Sequence, residues 1–152
     1  RPDLRIVDIR GNVPTRLNKL DSGVCDSTVL AMAGLNRLGI ERTDVPPLEV
    51  GTMVPAVGQG ALGVQTRRDD MRVLEALGSI EHDETRTAVE AERVFLATYG
   101  GGCNVPAGCH VRKAGGTFEI LAAVEQIGGV VRFEALGDDP IVLAHQAVAE
   151  LT

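Results

Sequence analysis

The chain has 152 residues, 44% of them hydrophobic and 24% charged, an ordinary globular composition that excludes disordered, collagen-like and coiled-coil classes. A net charge of −6 argues against nucleic acid as a general partner, and apolar runs as short as Val29–Ala33 exclude a membrane-spanning segment. Three cysteines, at 25, 103 and 109, form no regular framework, which argues against a secreted disulfide scaffold and fits a reducing, cytoplasmic setting.

The chain opens on Arg1-Pro2-Asp3 with neither a Met nor a basic-then-apolar leader, and reads as a piece of something longer. Residues 1–20 hold Arg1, Arg5, Arg10, Arg16 and Lys19 against Asp3 and Asp8, a local balance of +3, so the other residues carry −9. The β-branched content of 4–9 predicts a short strand, and Arg10-Gly11-Asn12 a turn. Pro14 suits the first position of a helix running through Leu17 and Leu20 to a stop at Gly23. A buried strand over Ser27–Ala31 and a short helix over Leu35–Leu38, ended by Gly39, complete a strand–helix–strand–helix pattern typical of an α/β layer. Residues 41–54, with Pro46-Pro47, read as a connection. A strand over Ala61–Thr66 and a helix over Asp69–Leu77 follow.

After Gly78 the pattern changes. A long helix is predicted over Asp83–Tyr99, with Ala88, Ala91, Phe95 and Tyr99 on one apolar stripe, ended by Gly100-Gly101-Gly102. Three strands, 108–113, 117–125 and 129–136, joined by Gly115-Gly116 and Gly128-Gly129, form a small antiparallel meander. Asp139-Pro140 opens a closing helix with Ile141, Ala144, Val148 and Leu151 at helical spacing.

Three features carry chemistry. Gly58-Gln59-Gly60-Ala61-Leu62-Gly63 has the literal G-x-G-x-x-G spacing of a dinucleotide loop, but Pro55 precedes it and a strand rather than a helix follows, so a hinge or a backbone-approach loop is the better reading. Three glycines before Cys103 exceed what a helix stop needs. The thiol is either inert beside a flexible turn or a nucleophile given room, and the residues alone leave both open. Cys103, Cys109 and His110 lack the ligand number and spacing of zinc, and no metal is expected. Arg10, Arg16 and Arg37 sit at strand–helix junctions of the α/β layer. There they are either solvated surface groups or a set of guanidinium donors for a ligand with several carboxylates.

The segments Asp8–Asp21, Leu30–Gly39, Pro55–Gly63 and Gly101–Gly108, in this order and at these spacings, resemble segments of porphobilinogen deaminase, also called hydroxymethylbilane synthase. The resemblance covers nearly the whole chain. It implies a transferase that condenses four porphobilinogen molecules, with release of ammonia, into the linear tetrapyrrole hydroxymethylbilane. It implies that Cys103 carries a dipyrromethane cofactor through a thioether, that Gly34 and Gln59 line the cofactor cleft, and that Arg10, Arg16 and Arg37 bind carboxylates of the growing polypyrrole chain. By the same resemblance the fold is α/β plus α+β: 1–54 belongs to a periplasmic-binding-protein-like domain, 55–78 crosses to its sister domain, and 79–152 is a small three-stranded α+β domain. The resemblance also implies an N-terminal half, absent from this sequence, as a partner. That half holds the catalytic aspartate, so no catalytic residue is expected among these 152 residues and the isolated chain is expected to be inactive.

Gly100, Asn104 and Cys25 stand where the family usually has Glu, Gln and Tyr. The competing reading is a non-catalytic carboxylate-binding or redox module of the same fold.

Overall fold

The computed structural model describes residues 3–42, 44–102 and 105–152, which divide into two compact units, 1–47 and 48–152. The first unit holds α1 (Val13–Asp21) and α2 (Met32–Arg37). Asn12 caps α1 by accepting from the Thr15 N–H at 2.9 Å, Pro14 occupies the first turn, and Lys19 in the last turn matches the negative end of the backbone dipole. Gly34 on α2 faces Val13 of α1, and a Cβ there would lie 3.4 Å from Val13 Cγ2, an ordinary contact. Leu35 on α2 is the unit's buried apolar side chain among the described residues.

Three expected strands are not formed. Residues 4–9, 27–31 and 61–66 carry no strand pairing, and the supposedly buried Ser27–Ala31 is exposed or half-buried throughout. Their β-branched residues suit a sheet, but a strand exists only where a neighbour accepts its N–H and C=O groups, and no described segment supplies one. Leu4, Ile6, Val7, Leu62 and Val64 are accordingly exposed, Ile6 at 87% and Leu62 at 83%.

The second unit follows its sequence closely. It comprises α3 (Met71–Gly78), α4 (Asp83–Thr98), β1 (Ala107–Ala114), β2 (Thr117–Gln126), β3 (Gly129–Gly137) and α5 (Pro140–Leu151). The strands form an antiparallel sheet in the order β1-β2-β3, with Val111 opposite Ile120 and Ile120 opposite Ala135. Alternation sends Cys109, Val111, Ile120, Ala122 and Val124 to one face, where Ala88, Ala91 and Phe95 of α4 and Leu143, Ala144, Ala147 and Leu151 of α5 cover them. Phe95, Ile120 and Leu151 are fully buried, and Phe95 stacks on Tyr99 with ring centroids 5.9 Å apart. Asp139 caps α5 through the N–H groups of Ile141 and Val142.

The end of α4 explains two of its three glycines. The Gly100 N–H donates to Ala97 O and the Gly101 N–H to Leu96 O, the paired bonds of a Schellman motif, with Gly100 at φ +86°. A Cβ on Gly101 would sit 2.6 Å from Leu96 Cδ1. Only Gly102 is surplus to the helix stop.

Candidate functional site

The sequence-derived site residues fall into two sets, one in each unit. In the first, α1 begins at a tight turn: Gly11 has φ +123°, and a side chain there would meet Thr15 Cγ2 at 2.6 Å. Arg16 donates from Nε to Gly11 O at 2.8 Å, and Lys19 donates from Nζ to Arg10 O at 2.8 Å. These two bonds fold α1 back on the 10–12 turn and bring Arg10 and Arg16 to the same helix N-terminus. Arg16 keeps its two terminal amino groups uncommitted by that contact. Arg37 lies one turn beyond Gly34 on α2 and is exposed.

Among the described residues no carboxylate pairs with Arg10, Arg16 or Arg37. Arg42 differs: it is spent on Asp44 at 3.0 Å and Asp21 at 3.3 Å. The hydrogen bond from Arg42 holds the Asp44 carboxyl below its ordinary range, and Asp44 in turn holds the Arg42 guanidinium firmly charged. The first three guanidinium groups therefore retain the capacity to take an anionic ligand.

The second set surrounds the 54–60 segment. Cys109 N–H on the outer edge of β1 donates to Pro55 O at 3.0 Å, and Gly108 is required there because a Cβ would come within 2.6 Å of Val54 O. Arg132 on β3 donates to the carbonyl oxygens of Gly51 and Thr52, the latter at 2.9 Å. Val57 packs on the core, and 57–60 form turns with Gly58 and Gly60 at φ +75° and +83°. No helix starts in the G-x-G-x-x-G stretch, so the dinucleotide geometry is absent; nothing comes within 4 Å of a Cβ built on Gly58, Gly60 or Gly63, and the first two are needed for their positive φ rather than for a backbone approach.

Glu92 holds this segment in place. It lies on α4 at 3% exposure, accepts from Gly58 N–H through Oε2 at 2.7 Å and from Val111 N–H through Oε1 at 3.0 Å, and has His110 Nδ1 3.8 Å away. Gln59, Glu92, His110 and Lys113 line an open cleft of about 290 Å³ beside α4. Sequence reasoning missed Glu92. The signal was present: positions 88, 92, 95 and 99 share one helical stripe, and a carboxylate on an apolar stripe needs a buried partner.

The thiols differ in availability. Cys109 is fully buried, and burial, reinforced by the nearby Glu92 charge, pushes its thiol well above the ordinary cysteine range. Such a thiol is a poor nucleophile. Cys25 is half-buried, and Cys103 lies outside the described residues. On either side of 103–104, the Val105 N–H donates to Gly102 O at 3.1 Å, and a Cβ on Gly102 would meet nothing within 4 Å.

These features define a protein of mixed α and β structure: an arginine-bearing helical unit followed by a three-stranded antiparallel sheet with two helices on one face. The family models agree at finer resolution. Residues 1–75 match "Porphobilinogen deaminase, dipyromethane cofactor binding domain" and residues 86–151 match "Porphobilinogen deaminase, C-terminal domain". The chain belongs to the porphobilinogen deaminase family. It is 52% identical over 154 residues to the porphobilinogen deaminase of Roseiflexus sp. (strain RS-1), which covers 99% of this chain and 51% of the relative. It is 45% identical over 155 residues to that of Desulforudis audaxviator (99% and 50%) and 41% identical to that of Nitrobacter hamburgensis (99% and 49%). The chain spans about half the length of the curated relatives it matches.

Proposed function

We propose that this chain supplies the C-terminal half of a porphobilinogen deaminase, a cytoplasmic transferase that joins four porphobilinogen molecules into hydroxymethylbilane. The observation that carries the proposal is the match of both family models, in order, across 1–75 and 86–151. On this reading 1–54 completes a periplasmic-binding-protein-like domain, 55–78 crosses to the sister domain and 79–152 is the third domain. The remaining half supplies the strands that would pair with 4–9, 27–31 and 61–66, together with the catalytic aspartate.

The chemistry of the donor set fits a dipyrromethane bearing acetate and propionate groups. Arg10, Arg16 and Arg37 are cationic and accessible, and no carboxylate pairs with them among the described residues. When bound, that group supplies the primer on which the tetrapyrrole is built. Cys103 would hold it through a thioether, its thiolate adding to the electron-poor methylene carbon left when a porphobilinogen unit loses ammonia. Arg10 and Arg16, oriented by the 10–12 turn, bind carboxylates of the cofactor and growing chain. Arg37 does so from α2, while Gly34 and Gln59 line the cofactor cleft.

Intact-mass measurement of the complete protein tests the assignment. The wild type should carry a dipyrromethane increment that is lost in Cys103→Ser and kept when Cys25 or Cys109 is replaced; retention in Cys103→Ser refutes it. The 152-residue chain alone should form no product from porphobilinogen in a colorimetric assay and should do so only when mixed with the other half.

A further inference from the structure

We propose that Glu92 is a positioning residue that fixes the 58–60 turn, and with it Gln59, against α4 and β1. The inference rests on the proposed function for the roles of Gln59 and Cys103, but its geometry stands independently. A carboxylate at 3% exposure is costly to bury unless its charge is compensated. Here no Arg or Lys pairs with it among the described residues. Both oxygens are instead taken by backbone N–H groups, Gly58 at 2.7 Å and Val111 at 3.0 Å.

Those two donors lie on segments already joined by the Cys109–Pro55 bond, and Glu92 adds a second tie further along each. Val111 sits on the edge strand β1, whose N–H at 109 is taken by Pro55 O; the next outward N–H, at 111, would be left bare where the 54–58 segment departs. Glu92 fills that gap and with its second oxygen fixes Gly58, the residue before Gln59. It also lies on the helix that leads into the Cys103 loop, whereas β1 leads out of it. One buried carboxylate thus joins α4, β1 and the 58–60 turn. Gln59 inherits its place from that junction. A neutral amide cannot replace it, because glutamine offers one acceptor oxygen and turns an N–H donor towards the other donor.

The test is amide hydrogen exchange in the complete protein, read at Gly58 and Val111 and compared with core amides such as Ile120 and Phe95. In the wild type, Gly58 should be protected although Gln59 and Gly60 are exposed; fast exchange at Gly58 overturns the proposal whether or not any variant folds. In Glu92→Gln, exchange at Gly58 or Val111 should rise at least about tenfold while Ile120 and Phe95 are unchanged. The apo-protein should acquire the dipyrromethane mass increment more slowly, and Glu92→Asp, which keeps both acceptors, should recover part of the rate. A uniform rise in exchange with no selectivity, or selective exchange with an unaltered loading rate, refutes positioning. Absence of the increment from the wild type would refute the proposed function while leaving the exchange prediction intact.

Discussion

Residues 48–152 and 1–47 solve the same problem to different depths. The second unit closes its sheet under two helices and buries a dozen apolar side chains drawn from α4, the strands and α5. The first forms two capped helices and buries Leu35 among its described residues, leaving Leu4, Ile6, Val7, Val24 and Val29 in water. Both have adequate local signals. What separates them is whether the partners of each apolar face lie in the same stretch of chain.

The largest expected effect tests that contrast directly. Residues 48–152 expressed alone should melt in a single cooperative transition, and residues 1–47 alone should show none by circular dichroism or calorimetry. A cooperative transition in 1–47 would break the comparison. Within the second unit, Phe95→Ala should destabilise by about 3–5 kcal/mol in chemical denaturation, because a fully buried ring leaves a cavity under the sheet. In the first unit Arg10→Leu or Arg16→Leu should leave the melt of the complete protein nearly unchanged. Turnover should nevertheless fall about ten- to a hundredfold, the loss of one charge-assisted carboxylate contact of roughly 1.5–3 kcal/mol. Wild-type turnover in both variants would return these arginines to the solvated surface.

Asn12→Ala, removing the α1 cap, should cost about 1 kcal/mol of helix stability, visible as faster amide exchange at Thr15. The smallest effect concerns pH. The folded Cys109 thiol holds its proton more tightly than the unfolded one, so its contribution is complete below the unfolded value of about 8.5 and declines as pH rises above it. The loss of melting temperature between about pH 8.5 and 10 should be shallower in Cys109→Ala than in the wild type. An equal slope would mean that other groups account for it.

Legibility follows the range of the contacts that form each element rather than the unit it lies in: 61–66, within 48–152, does not form its expected strand. The α4 stripe of Ala88, Ala91 and Phe95, the glycine turns of the meander and the Asp139-Pro140 helix start are set by neighbours a few residues away, and all are found as read. Segments 4–9, 27–31 and 61–66 have equally strand-like sequences, but strand pairing is a long-range property that a single segment cannot reveal. Arg10 and Arg16 flank a Gly-Asn-Val-Pro helix start, and the structure places them at the α1 N-terminus where that start puts them. Gly108 was visible only as part of a motif. That Val54 and Pro55 press on its Cα follows from a crossing some fifty residues earlier in the chain. Glu92 went unread because its partners are backbone amides, which leave no mark in composition.

Glu92 and Arg132 share one property with a consequence for mutation. Each hydrogen-bonds to main-chain atoms: Glu92 accepts from the N–H groups of Gly58 and Val111, with His110 Nδ1 3.8 Å away, and Arg132 donates to the carbonyl oxygens of Gly51 and Thr52. The contacts are blind to side-chain identity on one side and wholly dependent on it on the other. Substitutions at Thr52 and Val111 that preserve backbone shape should pass unnoticed by these two contacts, whereas no other residue can do what Glu92 or Arg132 does without compensation elsewhere. In a mutational scan Thr52 should therefore be permissive and Glu92 and Arg132 sharply restricted, while Val111 and Gly58 answer to the core and to a positive φ as well.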